Sequence, residues 1–257
     1  MIRKVLIIIF FLVCYRFSFA DDTVKVMNDG YDFVTINSSP DGFGISVLNV
    51  YKDGTSIFTL DEDLRIEEVS FADLKGIGEK SAIILSYTGG AHCCFIMYIG
   101  EIDNGSFVLT DTISWGDSMF EPKDLNNDGK MELVGSYVGF AYEFTSFAGS
   151  QFPILIYGYK NGRMEMVNED FKKFVYEDIE EFKREMLSAY PDYDCPEKED
   201  EYRVSSAGEL QSFLAAIVFD YASINEASKG YDLIDEYYKC SNKEKFKELL
   251  RNTYNLK

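Results

Sequence analysis

From residue 46 to residue 166 apolar and polar residues alternate with a period of two, in short runs that break at Asp-Gly or Asn-Gly. "ISVLNVYKDGTSIFTL" turns at Asp53-Gly54, "CFIMYIGEIDNGSFVLT" at Asn104-Gly105 and "PILIYGYKNGRMEMV" at Asn161-Gly162. Such a dipeptide between two alternating runs predicts a tight β-hairpin, because both of its residues accept the positive φ that the turn requires. Two of the hairpins follow comparable segments, "DLKGIGEKSAIILSY" from Asp73 and "DLNNDGKMELVGSY" from Asp124, each passing through glycine into a strand that ends in Ser-Tyr. The chain therefore reads as three diverged copies of a unit of roughly 50 residues with about four strands each, a period typical of propeller blades or stacked sheets. About 145 residues are too few to close a ring of four or more blades. An open, blade-like antiparallel arrangement is expected, with an end that needs covering.

Near residue 168 the period changes. "NEDFKKFVYEDIEEFKREMLSAY" offers Asn168 as a helix cap and spaces Phe171, Phe174, Ile179 and Phe182 along one helical face. Ser206 with Glu209, and Ser241 with Glu244, have capping-box spacing before two further helices. The expected fold is α+β: blade-like antiparallel β-sheets, as incomplete propeller-type repeats, over residues 21–167, followed by a C-terminal helical region over 168–257 packed on them.

Residues 1–20, "MIRKVLIIIFFLVCYRFSFA", have a basic start, an apolar run too short to span a bilayer and the small-residue pattern Ser18-Phe19-Ala20. They predict a secretory signal peptide and an exported protein, periplasmic or extracellular, with no membrane span. Its removal takes away Arg3, Lys4 and Arg16 and no acid, so the net charge of −19 becomes −22. That excess of acid disfavours nucleic acid and anionic membranes as partners. It suits solubility, cations or a basic partner.

The most specific chemical motif is "DLNNDGKME". Asp124, Asn126 and Asp128 stand at alternate positions, Gly129 permits a tight turn and Glu132 follows, with the Lys130 carbonyl between them. These are the hard oxygen ligands that Ca2+ requires. An EF-hand would place Glu at the twelfth position, where this chain has Gly135, and a strand follows in place of a helix. The segment resembles the calcium loop of FG-GAP/VCBS-type repeat proteins, D-x-[DN]-x-D-G-x-x-[DE] leading into a blade strand, and the likeness extends over roughly residues 70–167. "TGGAHCC" is similar to a segment of secreted bacterial proteins of that kind without an assigned activity. The resemblance implies a structural calcium ion. The first copy departs from it, since Lys75 and Ile77 stand where Asn126 and Asp128 stand in the second. The alternative is an Asx-type turn satisfied by backbone amides without metal.

Four cysteines remain after export: Cys93, Cys94, Cys195 and Cys240. An even number in an oxidising compartment predicts disulfides. Cys195 with Cys240 would clasp the helical region. Cys93 with Cys94 would need a distorted backbone, because adjacent α-carbons are closer than ordinary disulfide geometry allows. A crossed pattern, each of Cys93 and Cys94 bonding to one of the other two, is the second arrangement. His92 is the only histidine, and beside two cysteines it raises thiol-dependent or hydrolytic catalysis as an alternative. One histidine and one thiolate fall short of a zinc site. Finally, "GFAYEFTSFAGSQFP" concentrates aromatic residues, and Tyr137, Phe140, Tyr142 and Phe144 are candidates for a surface that recognises a protein or a glycan. The sequence thus points to an exported, calcium-associated, non-catalytic binding or envelope-maintenance protein, with an exported enzyme working at His92, Cys93 and Cys94 as the competing class.

Overall fold

The structure, a computed structural model, describes residues 22–38, 44–62, 65–90 and 93–256. The signal peptide assigned to residues 1–20 and the candidate His92 lie outside these residues. Twelve strands form three antiparallel sheets, each a simple meander of four. Sheet 1 runs through β1 (Asp22–Asn28), β2 (Tyr31–Asn37), β3 (Ser46–Lys52) and β4 (Thr55–Glu62). Sheet 2 runs through β5 (Arg65–Ala72), β6 (Ser81–Gly90), β7 (Cys93–Asp103) and β8 (Ser106–Gly116). Sheet 3 runs through β9 (Glu121–Lys123), β10 (Glu132–Ser136), β11 (Ile154–Lys160) and β12 (Arg163–Met166).

The three expected turns occupy equivalent places, each joining the third and fourth strands of its sheet. Asp53 and Gly54, Asn104 and Gly105, and Asn161 and Gly162 all have positive φ, as a type I′ turn demands. Asp29-Gly30 uses the same chemistry between β1 and β2, in a stretch whose pattern the repeat spacing had not singled out.

The side-chain alternation explains how the sheets pack. In β6, Ala82 and Ile84 face one cluster with Phe33, Leu48 and Val50 of sheet 1, while Ile83 and Leu85 face another with Leu133 of β10 and Met164 of β12. The middle sheet is therefore apolar on both faces, and Ser81 to Ser86 of β6 are all buried. Trp115 at the end of β8 lies over Gly135 of β10, where a Cβ would come within 2.5 Å of the indole. Glycine is required there by that close approach.

The outer face of sheet 3 is covered by four helices, α1 (Lys172–Ala189), α2 (Ser206–Ser223), α3 (Ala227–Tyr237) and α4 (Lys243–Asn252). The central helix α2 is buried from Leu210 to Tyr221. None of the helices among the described residues is long and apolar enough to cross a membrane. Three details differ from the expected caps. Asn168 does not cap α1: it is 1% exposed, accepts from the Ile156 N–H (2.9 Å) and donates to the Ile154 carbonyl (2.9 Å) and Ser223 Oγ (3.1 Å). Its amide completes the edge of β11 beyond the end of β12, where a capping role would have left two backbone groups unpaired. Ser205, one residue before the expected Ser206, caps α2 by accepting from the Gly208 N–H. Before α4 the cap position is Asn242, whose side chain instead accepts from the Tyr238 hydroxyl at 2.9 Å.

Candidate functional site

Strands β9 and β10 are joined by the loop that carries the predicted calcium ligands. Asp124 follows β9 directly and Glu132 opens β10. The Asp124 carboxylate accepts from the N–H groups of Asp128 (3.1 Å) and Gly129 (2.9 Å), and Asn126 Oδ1 also accepts from Asp128 N–H (3.1 Å). Asp128 accepts from the Lys130 N–H (2.9 Å) and from the Asn126 amide (2.9 Å). Asn127 and Gly129 take positive φ, which turns the backbone amides of the loop back toward the three side chains. Hydrogen bonds from the Lys130 amide and Asn126 hold the Asp128 carboxyl below its ordinary range.

Glu132 behaves differently. It is 1% exposed and turns inward, accepting from the Leu125 N–H at 3.2 Å. Burial pushes its carboxyl up, the charges of Asp128 and Asp124 add to this, and the Leu125 amide and Lys130 oppose it. Among the described residues no three acidic, histidine or cysteine side chains converge as a metal cage. The arrangement shown is the amide-satisfied turn. Each Asp124 oxygen uses one amide and retains acceptor capacity, so the donor chemistry remains that of a hard cation. Asp124, Asn126, Asp128 and Glu132 would supply side-chain oxygens and Lys130 its carbonyl.

The equivalent loop of sheet 2 is self-sufficient. Asp73 accepts from Gly76 (2.7 Å), Ile77 (3.2 Å) and Gly78 (2.7 Å) N–H groups. Burial acts to raise its carboxyl, but these backbone bonds prevail and hold it below the ordinary value. The two loops are fastened side by side, with the Met131 N–H donating to the Asp73 carbonyl at 2.8 Å. Lys130 ties the second loop to β11 by donating to the Tyr159 carbonyl at 2.6 Å. Sequence reasoning placed both loops but missed their adjacency. The signal was their shared position in the repeat, since equivalent corners of neighbouring sheets lie close together.

Cys195 and Cys240 are bonded to each other, with α-carbons 5.3 Å apart and 45 residues between them in sequence. This excludes the crossed arrangement. Cys94 is also disulfide-bonded, and its N–H donates to Thr88 Oγ1 at 2.7 Å. Its sulfur is then not the thiolate that nucleophilic catalysis needs. The side chain of Cys93, like His92, falls outside the described residues.

The aromatic segment corrects an expectation. Phe140 and Phe144 are core residues, 0% and 4% exposed, and Phe140 packs edge-on to Tyr254 while Phe144 packs edge-on to Phe246. Tyr137 is half-buried and stacks on Phe219 with ring centroids 4.3 Å apart. Of the four candidates only Tyr142 is exposed. The segment after β10 turns back under the helices, and its rings seat the cover in place of forming a recognition surface.

With this geometry established, comparison with known proteins adds one relative. The chain matches no protein family and no solved structure. It is similar to a protein of Synechocystis named a probable thylakoid lumen protein, 32% identical over 161 residues. The matched stretch is 62% of this chain and 44% of that protein, so the chain spans less than half of its relative's length.

Proposed function

We propose that this chain is an exported, calcium-associated, non-catalytic binding or envelope-maintenance protein built on FG-GAP/VCBS-type blades. The observation that carries the reading is the Asp124–Glu132 corner. Its sequence sets four hard-oxygen side chains along one strand-loop-strand junction, with Asp124, Asn126 and Asp128 hydrogen-bonded within the loop and Glu132 turned onto the Leu125 amide, where the corresponding corner of the preceding sheet has Lys75 and Ile77 in place of Asn126 and Asp128. A cation there would neutralise Asp124, Asp128 and Glu132 and tie β9 to β10 at the edge of sheet 3. Its role is structural. Three consecutive four-stranded meanders support the blade reading.

Export is supported by the amino-terminal pattern, by the Cys195–Cys240 disulfide and by similarity to a protein named for a lumenal compartment. We place the chain in an equivalent exported compartment, lumenal or periplasmic. Its partner is a protein or glycan. With Cys94 bonded, thiol chemistry at His92, Cys93 and Cys94 has no observation in its favour.

The test is thermal unfolding of the mature protein in calcium and in chelator. We expect a higher midpoint in calcium for the native chain and no difference for Asp124→Asn/Asp128→Asn. Equal midpoints for the native chain in both conditions would remove calcium from this function.

A further inference from the structure

Sheet 3 meets its helical cover through an acidic pair. Asp220 lies in the last turn of α2, in the apolar run "LAAIVFDYASI", and is 0% exposed. As a carboxylate it has no donor for either oxygen. The neighbouring charge that bears on it is Asp178 of α1, a second carboxyl, which can offer a hydrogen bond only if one of the two holds a proton. A fully buried carboxylate beside a second, half-buried one is costly to ionise, whereas one proton between them converts the repulsion into a hydrogen bond.

The pair is set into the structural seam. Asp178 Oδ2 accepts from the Ile154 N–H at 2.8 Å, at the start of β11. Beside it Asn168 takes the Ile154 carbonyl and bonds Ser223 Oγ, and Ser223 in turn donates to the Asp220 carbonyl at 2.7 Å. These contacts link α1, α2 and β11 at one point. The charges that bear on the pair are acidic: Glu181 and Glu185 of α1 act on Asp178, and Asp178 acts on Asp220. From β11 the pair meets the uncharged Ile154 amide, from the turn before α1 the uncharged Asn168, and α3 packs on α2 through Gly230 against Val218.

We propose that Asp178 and Asp220 hold a single proton between them and act as a pH-sensitive latch that fastens the helical cover to the third sheet. Asp220 carries the proton and donates to Asp178, which stays bonded to Ile154. Burial and the neighbouring Asp178 push Asp220 well above the ordinary carboxyl value. A folded-state carboxyl raised in this way binds its proton more tightly than the unfolded chain does. The latch is therefore complete at acid pH, and its contribution falls as pH climbs from the ordinary carboxyl value near 4 to that of Asp220 in the folded protein.

The experiment compares the mature protein with Asp220→Asn, whose amide mimics the neutral acid in shape. Denaturant unfolding from pH 4 to pH 8 should show the native chain losing folding equilibrium relative to the variant by about tenfold per pH unit until the folded value of Asp220 is reached, then running parallel to it. Amide hydrogen exchange at Ile154 and Ile156 should accelerate with pH in the native chain beyond its acceleration in the variant. A direct reading is available without any variant, since the side-chain carboxyl 13C shift of Asp220 should remain that of the protonated acid where surface aspartates have ionised. Ionisation of Asp220 together with the surface aspartates would overturn the proposal. So would a native-to-variant ratio that stays constant over the whole pH range.

Discussion

The Cys195–Cys240 bond offers the clearest quantitative prediction, because its effect can be worked from the chain length it closes. Cysteine separation is 45 residues, and the closed loop contains α2 and α3, the centre of the helical cover. In the loop-closure model a cross-link over that span removes about 13 cal/mol/K of unfolded-chain entropy, or about 4 kcal/mol at 25 °C. The native ends do not depend on the bond alone. Tyr193 donates from its hydroxyl to the Tyr237 carbonyl at 2.8 Å, accepts from the Lys239 N–H at 2.6 Å and stacks on Tyr238 with centroids 6.1 Å apart. Cys195→Ala/Cys240→Ala should therefore keep the native fold while losing about 4 kcal/mol. For a chain of this size that is a fall of roughly 8 to 16 °C in melting midpoint. Denaturant unfolding gives the free energy, and near-ultraviolet circular dichroism of the many aromatic residues reports the native packing. A loss under about 1 kcal/mol would refute the entropic argument. Loss of the near-ultraviolet signal in buffer would refute the claim that Tyr193 holds the ends in place.

Other positions separate core from surface and test the amide-locked loop. Phe140→Ala should cost about 3 to 5 kcal/mol, since its ring packs among Phe144, Phe219 and Tyr254; Tyr142→Ala should cost well under half of that, and similar losses by chemical denaturation would contradict the burial described. Asp73→Asn removes the second carboxylate acceptor, used by Gly78 N–H, and should cost about 1 to 2 kcal/mol at neutral pH. Because the Asp73 carboxyl is held below the ordinary value, its contribution is present above about pH 4 and vanishes as pH falls through the folded value. A difference between native and variant chains that persisted at pH 2 would show that the charge on Asp73 is not what the amides read.

Much of the β region was legible because its signals are local. Asn-Gly and Asp-Gly turns need only their own backbone angles, and Asn104-Gly105 or Asn161-Gly162 specify a hairpin wherever they lie. The spacing of these turns then set the number of sheets. What was misread depends on partners distant in sequence. Asn168 resembles a helix cap until β11 presents two unpaired backbone groups to it. Phe140 and Phe144 resemble a recognition patch until α4 and the carboxyl-terminal turn close over them. Asp220 was visible as an acid inside an apolar helical run, but its meaning required Asp178, 42 positions earlier in the sequence. The calcium-type loop lies between these cases. Its residue types were readable, while the inward turn of Glu132 onto the Leu125 amide was not.

The central claim concerns that loop, and a calcium titration tests it most directly. Isothermal titration of the chelator-stripped mature protein should show one calcium ion bound per chain, with the heat abolished in Asp124→Asn/Asp128→Asn and unchanged in Asp73→Asn. Absence of binding heat in the native chain at millimolar calcium, or binding that survives the Asp124/Asp128 substitutions, would contradict the account.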